Sequence, residues 1–492
     1  MITIVFVLYV CAVVTLALYG AVGLLTIWLY LRHRNDELPL PEEPTEWPSV
    51  TVQIPIYNER YVVEKLIDTA VSLDYPPDKL QIQILDDSND DTTQKAVEMV
   101  NYYQSKGINI QLLHRQNREG YKAGALAQAL LQASGEFIAI FDADFQPQPS
   151  FLRQTIPHFV DNAQLGMVQT RWGHLNVQTS PLTAAQSIAL DKHFALEQVV
   201  RYRANMYPKF NGSGGVWRRS CIEDAGGWQT DTVCEDLCLS TRAILEGWQF
   251  RFLHDVVAPA ELPVSINAYK TQQARWAKGS TQCLRKFGRA IWRDKQYSPL
   301  ARCYALITMS AYNAHIFIIL TLLLQLPLII ADYHPPAWLM IFSLFGMSQP
   351  VLFVTSQYVL YKDWPRRALF FPVLMLIALG MGPVIVRAIG QAFWGQSHSF
   401  DRTPKSGNGR IHWGYGLPKD RIVWVECFCM IYALVGIVIA AQYENWGAIS
   451  FLFTCVLGYG YVLFLTLRER KWMRLQLNFK VERIDGRTHR VL

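Results

Sequence analysis

The stretch ITIVFVLYVCAVVTLALYGAVGLLTIWLY runs from Ile2 to Tyr30 without a charge. It is longer than the apolar core of a secretory leader and no basic segment precedes it, so it predicts a retained transmembrane helix over residues 1–31. Arg32 and Arg34 follow directly and place its C-terminal end on the cytoplasmic side. Apolar segments at 304–330, 337–360, 426–442 and 447–467 predict further spans, and the basic run Arg468, Arg470, Lys471 and Arg474 points inward again. A chain of 492 residues that is 51% apolar fits this division between lipid and water.

Residues 369–394 pose a parity problem. A single crossing there would put the basic loop 396–421 outside and end the last two spans on the wrong side. Gly380, Gly382 and Pro383 interrupt the segment, so a short hairpin or re-entrant pair returning to the cytoplasmic face is expected. The plan is then membrane and interfacial helices over 301–395, two spans over 425–468 and a basic cytosolic tail over 469–492. The formal charge of +6 reads as basic membrane flanks, not as a nucleic-acid surface. Nine cysteines, among them Cys221, Cys234, Cys238 and Cys283, have neither disulfide-framework nor zinc spacing, which fits a reducing cytosolic compartment. Asn211-Gly212-Ser213 matches a glycosylation acceptor and conflicts with that placement.

Residues 48–300 form a polar domain long enough to bury its own core. SVTVQIPIY, LQIQILDDS and EFIAIFDADF read as strands ending in polar residues, and 61–73, 92–106 and 121–133 have helical patterning. Alternation of the two predicts a mainly parallel sheet whose ligands gather beyond the strand C-termini. GYKAGAL fits no P-loop and GSGG lacks the setting of a dinucleotide fingerprint, which argues against ATPase and NAD-dependent dehydrogenase functions.

The strand ends carry carboxylates. FDADF places Asp142 and Asp144 two apart, on one side of an extended segment, where they could share a divalent cation and its diphosphate. Standing alone, such a pair usually just faces water. LDDSND supplies Asp86 and Asp87, one of which could accept from the imide edge of a nucleobase, or could simply form a turn. IPIYNE adds Tyr57, a ring to cover a base, and Glu59, a carboxylate for ribose or base. Gly120, Lys122 and Gly124 precede a helical run, so a cation and backbone amides can approach phosphate. FNGSGGVWRR, from Phe210, combines polar groups with glycines that permit close backbone approach. Glu235 and Asp236 open a helix, where a carboxylate is normally ionised and suits a general base; helix capping is the plainer reading. Gln272, Arg275 and Trp276 in QQARW share one helical face and bring together an amide, a guanidinium and a ring for a sugar diphosphate.

The ordered set DDS, GYKAGAL, DAD, QTRW, FNGSGG, AGGW, ED, ELP and QQARW resembles the processive family 2 glycosyltransferases, the group containing the cellulose synthases, and most nearly its mannan and glucomannan synthase-like branch. The resemblance is strong from about Val50 to Trp276 and looser through the later membrane segments. It implies a GT-A-type α/β glycosyltransferase domain, cytosolic, fused to a multi-span α-helical membrane domain in the cell or plasma membrane. Asp87 would bind the base, with Tyr57, Glu59 and Lys122 also serving the nucleotide sugar. Asp142 and Asp144 would engage the nucleotide and Mg2+ or Mn2+, and Asp236 would be the catalytic base. Arg275 would meet the diphosphate. Gln272 and Trp276 would hold the acceptor, in a site that also takes in Phe210, Asn211, Gly212, Ser213 and Glu235. FDRTPK, within a cytosolic gating-loop region at 396–424, would place Thr403 and Lys405 near phosphate, although Arg402 departs from the smaller residue common there.

The activity so implied is inverting transfer of a hexose from UDP-glucose or GDP-mannose onto a growing β-linked polysaccharide, which the membrane helices would translocate. The partners are the nucleotide sugar, the polysaccharide and membrane lipids, with no nucleic acid. A one-sugar transfer to a membrane lipid is the alternative within the same chemistry. A transporter or receptor retaining only a sugar-nucleotide domain would not need Asp236 and the QQARW triplet intact. LDDS cannot separate guanine from uracil.

Overall fold

The computed structural model describes residues 2–36, 41–333, 336–394 and 420–488. Its polar domain is built on seven strands: β1 Val50–Ile56, β2 Leu80–Asp86, β3 Ile110–His114, β4 Phe137–Ile140, β5 Leu165–His174, β6 Gly215–Arg218 and β7 Gln249–Ala260. They form one sheet in the order β3-β2-β1-β4-β6-β5-β7. β1, β2, β3 and β4 are parallel, β5 is parallel to β7, and β6 runs antiparallel to both neighbours. The expected mainly parallel sheet is therefore present, with one reversed strand.

The central strands are buried on both faces, which is why they read as nearly continuous apolar runs. Their few polar side chains pair with each other: Thr51 Oγ1 donates to Gln81 Oε1 at 2.8 Å and Gln53 Nε2 to Gln83 Oε1 at 2.9 Å. The helices Val63–Val71, Thr92–Ser105 and Tyr121–Leu130 occupy the three stretches expected from their periodicity. Because β1, β2 and β4 are parallel, their C-terminal ends deliver Tyr57, Asp87 and Asp142 to one edge of the sheet.

Among the described residues four helices are long and apolar enough to cross a membrane: Ile2–His33, Ala311–Ile330, Val423–Gln442 and Trp446–Lys471. The 337–360 segment differs from its expected single span. It breaks at Met347 into Met340–Gly346 and Ser348–Leu360, and these pieces pack against the first helix. A Cβ on Gly23 would lie 2.7 Å from Ser348 Oγ, so a small residue sets this close approach. The break expected within 369–394 falls at Met381, where Trp364–Gly380 and Gly382–Phe393 meet at a bend of 48°. Leu29 and Tyr30, at the end of the first helix, share an apolar cluster with Ile138, Trp217 and Tyr304, joining that helix to the polar domain. All nine cysteines are free.

Candidate active site

A cavity opens at the strand ends. Tyr57, Glu59 and Asp87 line it from β1 and β2, and Asp142 and Asp144 line it from the segment after β4. Lys122, Asn211, Gly212, Glu235 and Asp236 line it as well, and Gln272, Arg275 and Trp276 reach it from the helix Ile266–Arg293. Residues spread over more than two hundred positions thus face one space.

Asp142 and Asp144 do not continue β4 as an extended segment. Strand pairing stops at Ile140, and Phe145 N–H donates to the Asp142 carbonyl at 3.0 Å, closing a turn that still leaves both residues on the cavity wall. Ser213 Oγ accepts from the Asp142 N–H at 2.8 Å and anchors that turn. Ser213 is fully buried, as is Phe210, whose ring packs 5.0 Å from that of Trp217. These two are absent from the cavity lining and lie behind it. Asn211 and Gly212 remain on the lining.

Lys122 Nζ donates to Asp142 Oδ1 at 2.6 Å and to the Gly212 carbonyl at 2.9 Å, and lies 3.3 Å from Glu235 Oε1. Burial works against its charge, but Asp142, Glu235 and Asp236 outweigh burial and hold its pKa above the usual lysine range. Asp236 is the converse. Burial and then the neighbouring Glu235 carboxylate push it up to about 7, against the pull of Lys122, the Leu237 N–H and Arg275. The ionised state expected at a helix start is therefore opposed here by burial and by the like charge of Glu235. Neither acid is the N-cap. Cys234 holds that position and makes no side-chain capping bond. Gly212 has φ +83°, and a Cβ there would lie 2.9 Å from Asp236 Oδ2, so glycine lets the backbone approach the carboxylate.

Asp87 is held by Arg115, which donates from Nε to Oδ1 at 2.6 Å and from Nη2 to Oδ2 at 2.5 Å. Asp86 is internal scaffolding instead, accepting from the Ser88 N–H at 2.9 Å and from Thr93 Oγ1 at 2.6 Å. The Arg118 guanidinium lies 3.3 Å from the centre of the Tyr57 ring. Sequence reasoning missed both arginines; their spacing in HRQNREGYK, just before the phosphate-type glycines, was the available signal.

It also missed two buried networks behind the cavity. His174, on the wall, places Nε2 3.1 Å from Asp191 Oδ1, and Asp191 accepts from Gln357 Nε2 at 3.0 Å and Tyr361 Oη at 3.2 Å. Asn211 is oriented by Gln198, which donates to its Oδ1 at 2.5 Å, and by His193, whose Nε2 is 3.0 Å from Asn211 Nδ2. Burial lowers the His193 pKa to about 4, so its neutral ring can accept from that amide. Thr403 and Lys405 lie outside the described residues.

Among the described residues no cluster of three His, Cys, Asp or Glu side chains could hold a metal ion. Mg2+ or Mn2+ needs only one or two carboxylates when a diphosphate supplies further oxygens. Asp142 and Asp144 offer that hard-oxygen set on the cavity lining.

Residues 48–279 match the family model described as Glycosyltransferase like family 2. Glucomannan 4-beta-mannosyltransferase 2 of Arabidopsis thaliana is 39% identical over 315 residues, covering 62% of this chain and 58% of that protein. Glucomannan 4-beta-mannosyltransferase 1 of Oryza sativa subsp. japonica is 38% identical over 321 residues, covering 62% and 61%. The chain thus spans less than two thirds of the length of these relatives. A mannosyltransferase from Pyrobaculum calidifontis, solved in complex with GDP-Man and Mn2+, has a similar fold, with a TM-score of 0.56 at 22% identity over 79% of this chain and 100% of that one. The polar domain is accordingly a GT-A-like mixed α/β core joined to several long apolar helices.

Proposed function

We propose, for a chain whose residues 48–279 belong to the family 2 glycosyltransferases and are related to the glucomannan and mannan synthase-like members, that it transfers a hexose from a nucleotide sugar with inversion and extends a β-linked polysaccharide. The observation that supports this most is the convergence of Asp142, Asp144, Asp236, Arg275 and Trp276 on one cavity. The relatives' names point to mannosyl transfer, so GDP-mannose is the first donor to test and UDP-glucose the second.

In this reading Tyr57 and Asp87 receive the base, with Arg115 fixing the Asp87 carboxylate. Asp142 and Asp144 would hold Mg2+ or Mn2+, which neutralises charge growing on the departing diphosphate. Arg275 adds directed donors to the same oxygens. Trp276 stacks on the terminal pyranose of the acceptor and Gln272 binds one of its hydroxyls. Asp236 takes the proton of the attacking hydroxyl as that oxygen bonds to the anomeric carbon and the nucleoside diphosphate leaves with the bonding pair. A pKa near 7 is well placed for this, since the base is partly free at neutral pH yet basic enough to accept. Single displacement converts an α-linked donor into a β-linked product. The catalytic domain faces the cytosol, and the membrane helices carry the polymer outward.

The test is to incubate the purified chain in detergent with radiolabelled GDP-mannose or UDP-glucose and Mg2+ or Mn2+, then separate lipid extract from polymer and digest the polymer with linkage-specific glycanases. A long β-mannan or β-glucan is expected. Label confined to a one-sugar lipid would replace the polymer reading with lipid glycosylation, and no transfer from either donor would reject both.

A further inference from the structure

The helix Ile266–Arg293 carries Gln272, Arg275 and Trp276, and its start is gripped by the last two membrane helices. The Glu469 carboxylate, near the end of Trp446–Lys471, accepts from the Ile266 N–H at 2.6 Å, from Ser265 Oγ at 2.9 Å and from Asn267 Nδ2 at 2.7 Å. A helix N-terminus has unpartnered N–H groups and a positive dipole end, so a carboxylate there is favoured. Here it comes from an element some two hundred positions away.

One turn further on, Lys270 Nζ donates to Glu426 Oε1 at 2.6 Å and to Thr466 Oγ1 at 3.1 Å. Glu426 and Thr466 are fully buried and Lys270 is 6% exposed. Desolvation largely offsets the attraction within such a pair, so its net contribution to stability is small. Its geometric effect is larger, because sliding either helix would leave a buried charge without its partner. Glu426 lies in the first turn of Val423–Gln442 and Glu469 in the closing turns of the next span, so both sit at the same end of these two consecutive membrane helices.

We propose that Lys270, Glu426 and Glu469 are positioning residues that fix the height and rotation of Gln272, Arg275 and Trp276 over the cavity relative to the last two membrane helices. Acceptor placement is thereby tied to the membrane domain. Trp276 is six residues from Lys270, about 9 Å along a rigid helix, so a shift at the ion pair is passed to the acceptor end of the site. This rests on the hexosyltransferase reading of the cavity.

The decisive variant is Lys270→Met with Glu426→Met in the full chain. Replacing a buried ion pair by apolar side chains of similar volume is commonly neutral or stabilising. If the pair only holds the fold together, this variant keeps both stability and activity. If it positions the helix, the variant keeps its melting temperature and its donor affinity by titration, while its acceptor-dependent release of nucleoside diphosphate falls on the order of 10²-fold through raised acceptor KM and lowered kcat. Lys270→Arg should restore part of the rate, and Glu469→Gln, which keeps one acceptor oxygen, should show a weaker form of the same acceptor defect. A native acceptor-dependent rate in the double variant, or equal loss of donor binding and transfer, overturns the proposal. Absence of transfer by the unaltered chain would overturn the hexosyltransferase reading and this inference with it.

Discussion

Lys122 Nζ sits 2.6 Å from Asp142 Oδ1, tying the first turn of the helix after β3 to the turn after β4. With Glu235 3.3 Å away, one cation serves several carboxylates on the same wall.

Removing that cation should be felt at the base. Lys122→Met takes away a charge that lowers the Asp236 pKa, so the acid limb of the pH–rate profile should move to higher pH. The rate at neutral pH should fall on the order of 10²-fold. An unmoved limb would show that Lys122 does not act on Asp236.

Asp236→Asn should abolish transfer, with a loss on the order of 10³-fold, while leaving donor binding measurable. In the unaltered chain activity should decline as pH falls through about 7, because the base is then protonated. Stability has the opposite dependence. An acid whose folded pKa lies above its unfolded value of 3.8 binds more protons when folded, so its contribution to stability declines as pH rises from about 4 to about 7. Asp236→Asn should therefore melt higher than the parent at pH 8, and the gap should close at acid pH, as thermal scans at the two pH values would reveal.

Gly212→Ala puts a side chain at φ +83°, against Asp236. It should lose about 1–2 kcal/mol of stability from backbone strain and displace the base. A drop in kcat larger than the rise in donor KM is the expected kinetic pattern.

Asp191→Leu leaves His174, Gln357 and Tyr361 without their shared buried acceptor. A loss of about 2–3 kcal/mol is expected, measured by denaturant or thermal unfolding. A native transition would mean that these three groups find other partners.

Local pattern made the secondary elements legible. The β-branched runs at Val50, Leu80 and Phe137, the helical periodicity between them and the charge-free opening are properties of neighbouring residues, and the structure reproduces them. The ED and QQARW residues were equally visible, because helical spacing places side chains on one face whatever surrounds the helix. Less accessible was anything set by what the side chains meet. Asp142 and Asp144 looked extended until the turn closed by Phe145 was seen, and the break at Met347 lies within an apolar run whose composition suited one span.

By itself the sequence determined which elements form, which faces they bury and which chemical groups are available, since these follow from periodicity, length and residue type. Only the tertiary structure decided how those groups behave. The pKa of Asp236 depends on burial beside Glu235 and on Lys122 from another element. The Asp87 carboxylate is held by Arg115, and the helix carrying Trp276 starts against the Glu469 carboxylate. Electrostatic energies and hydrogen bonds depend on distances in space, and those arise only when segments far apart in the chain are packed together.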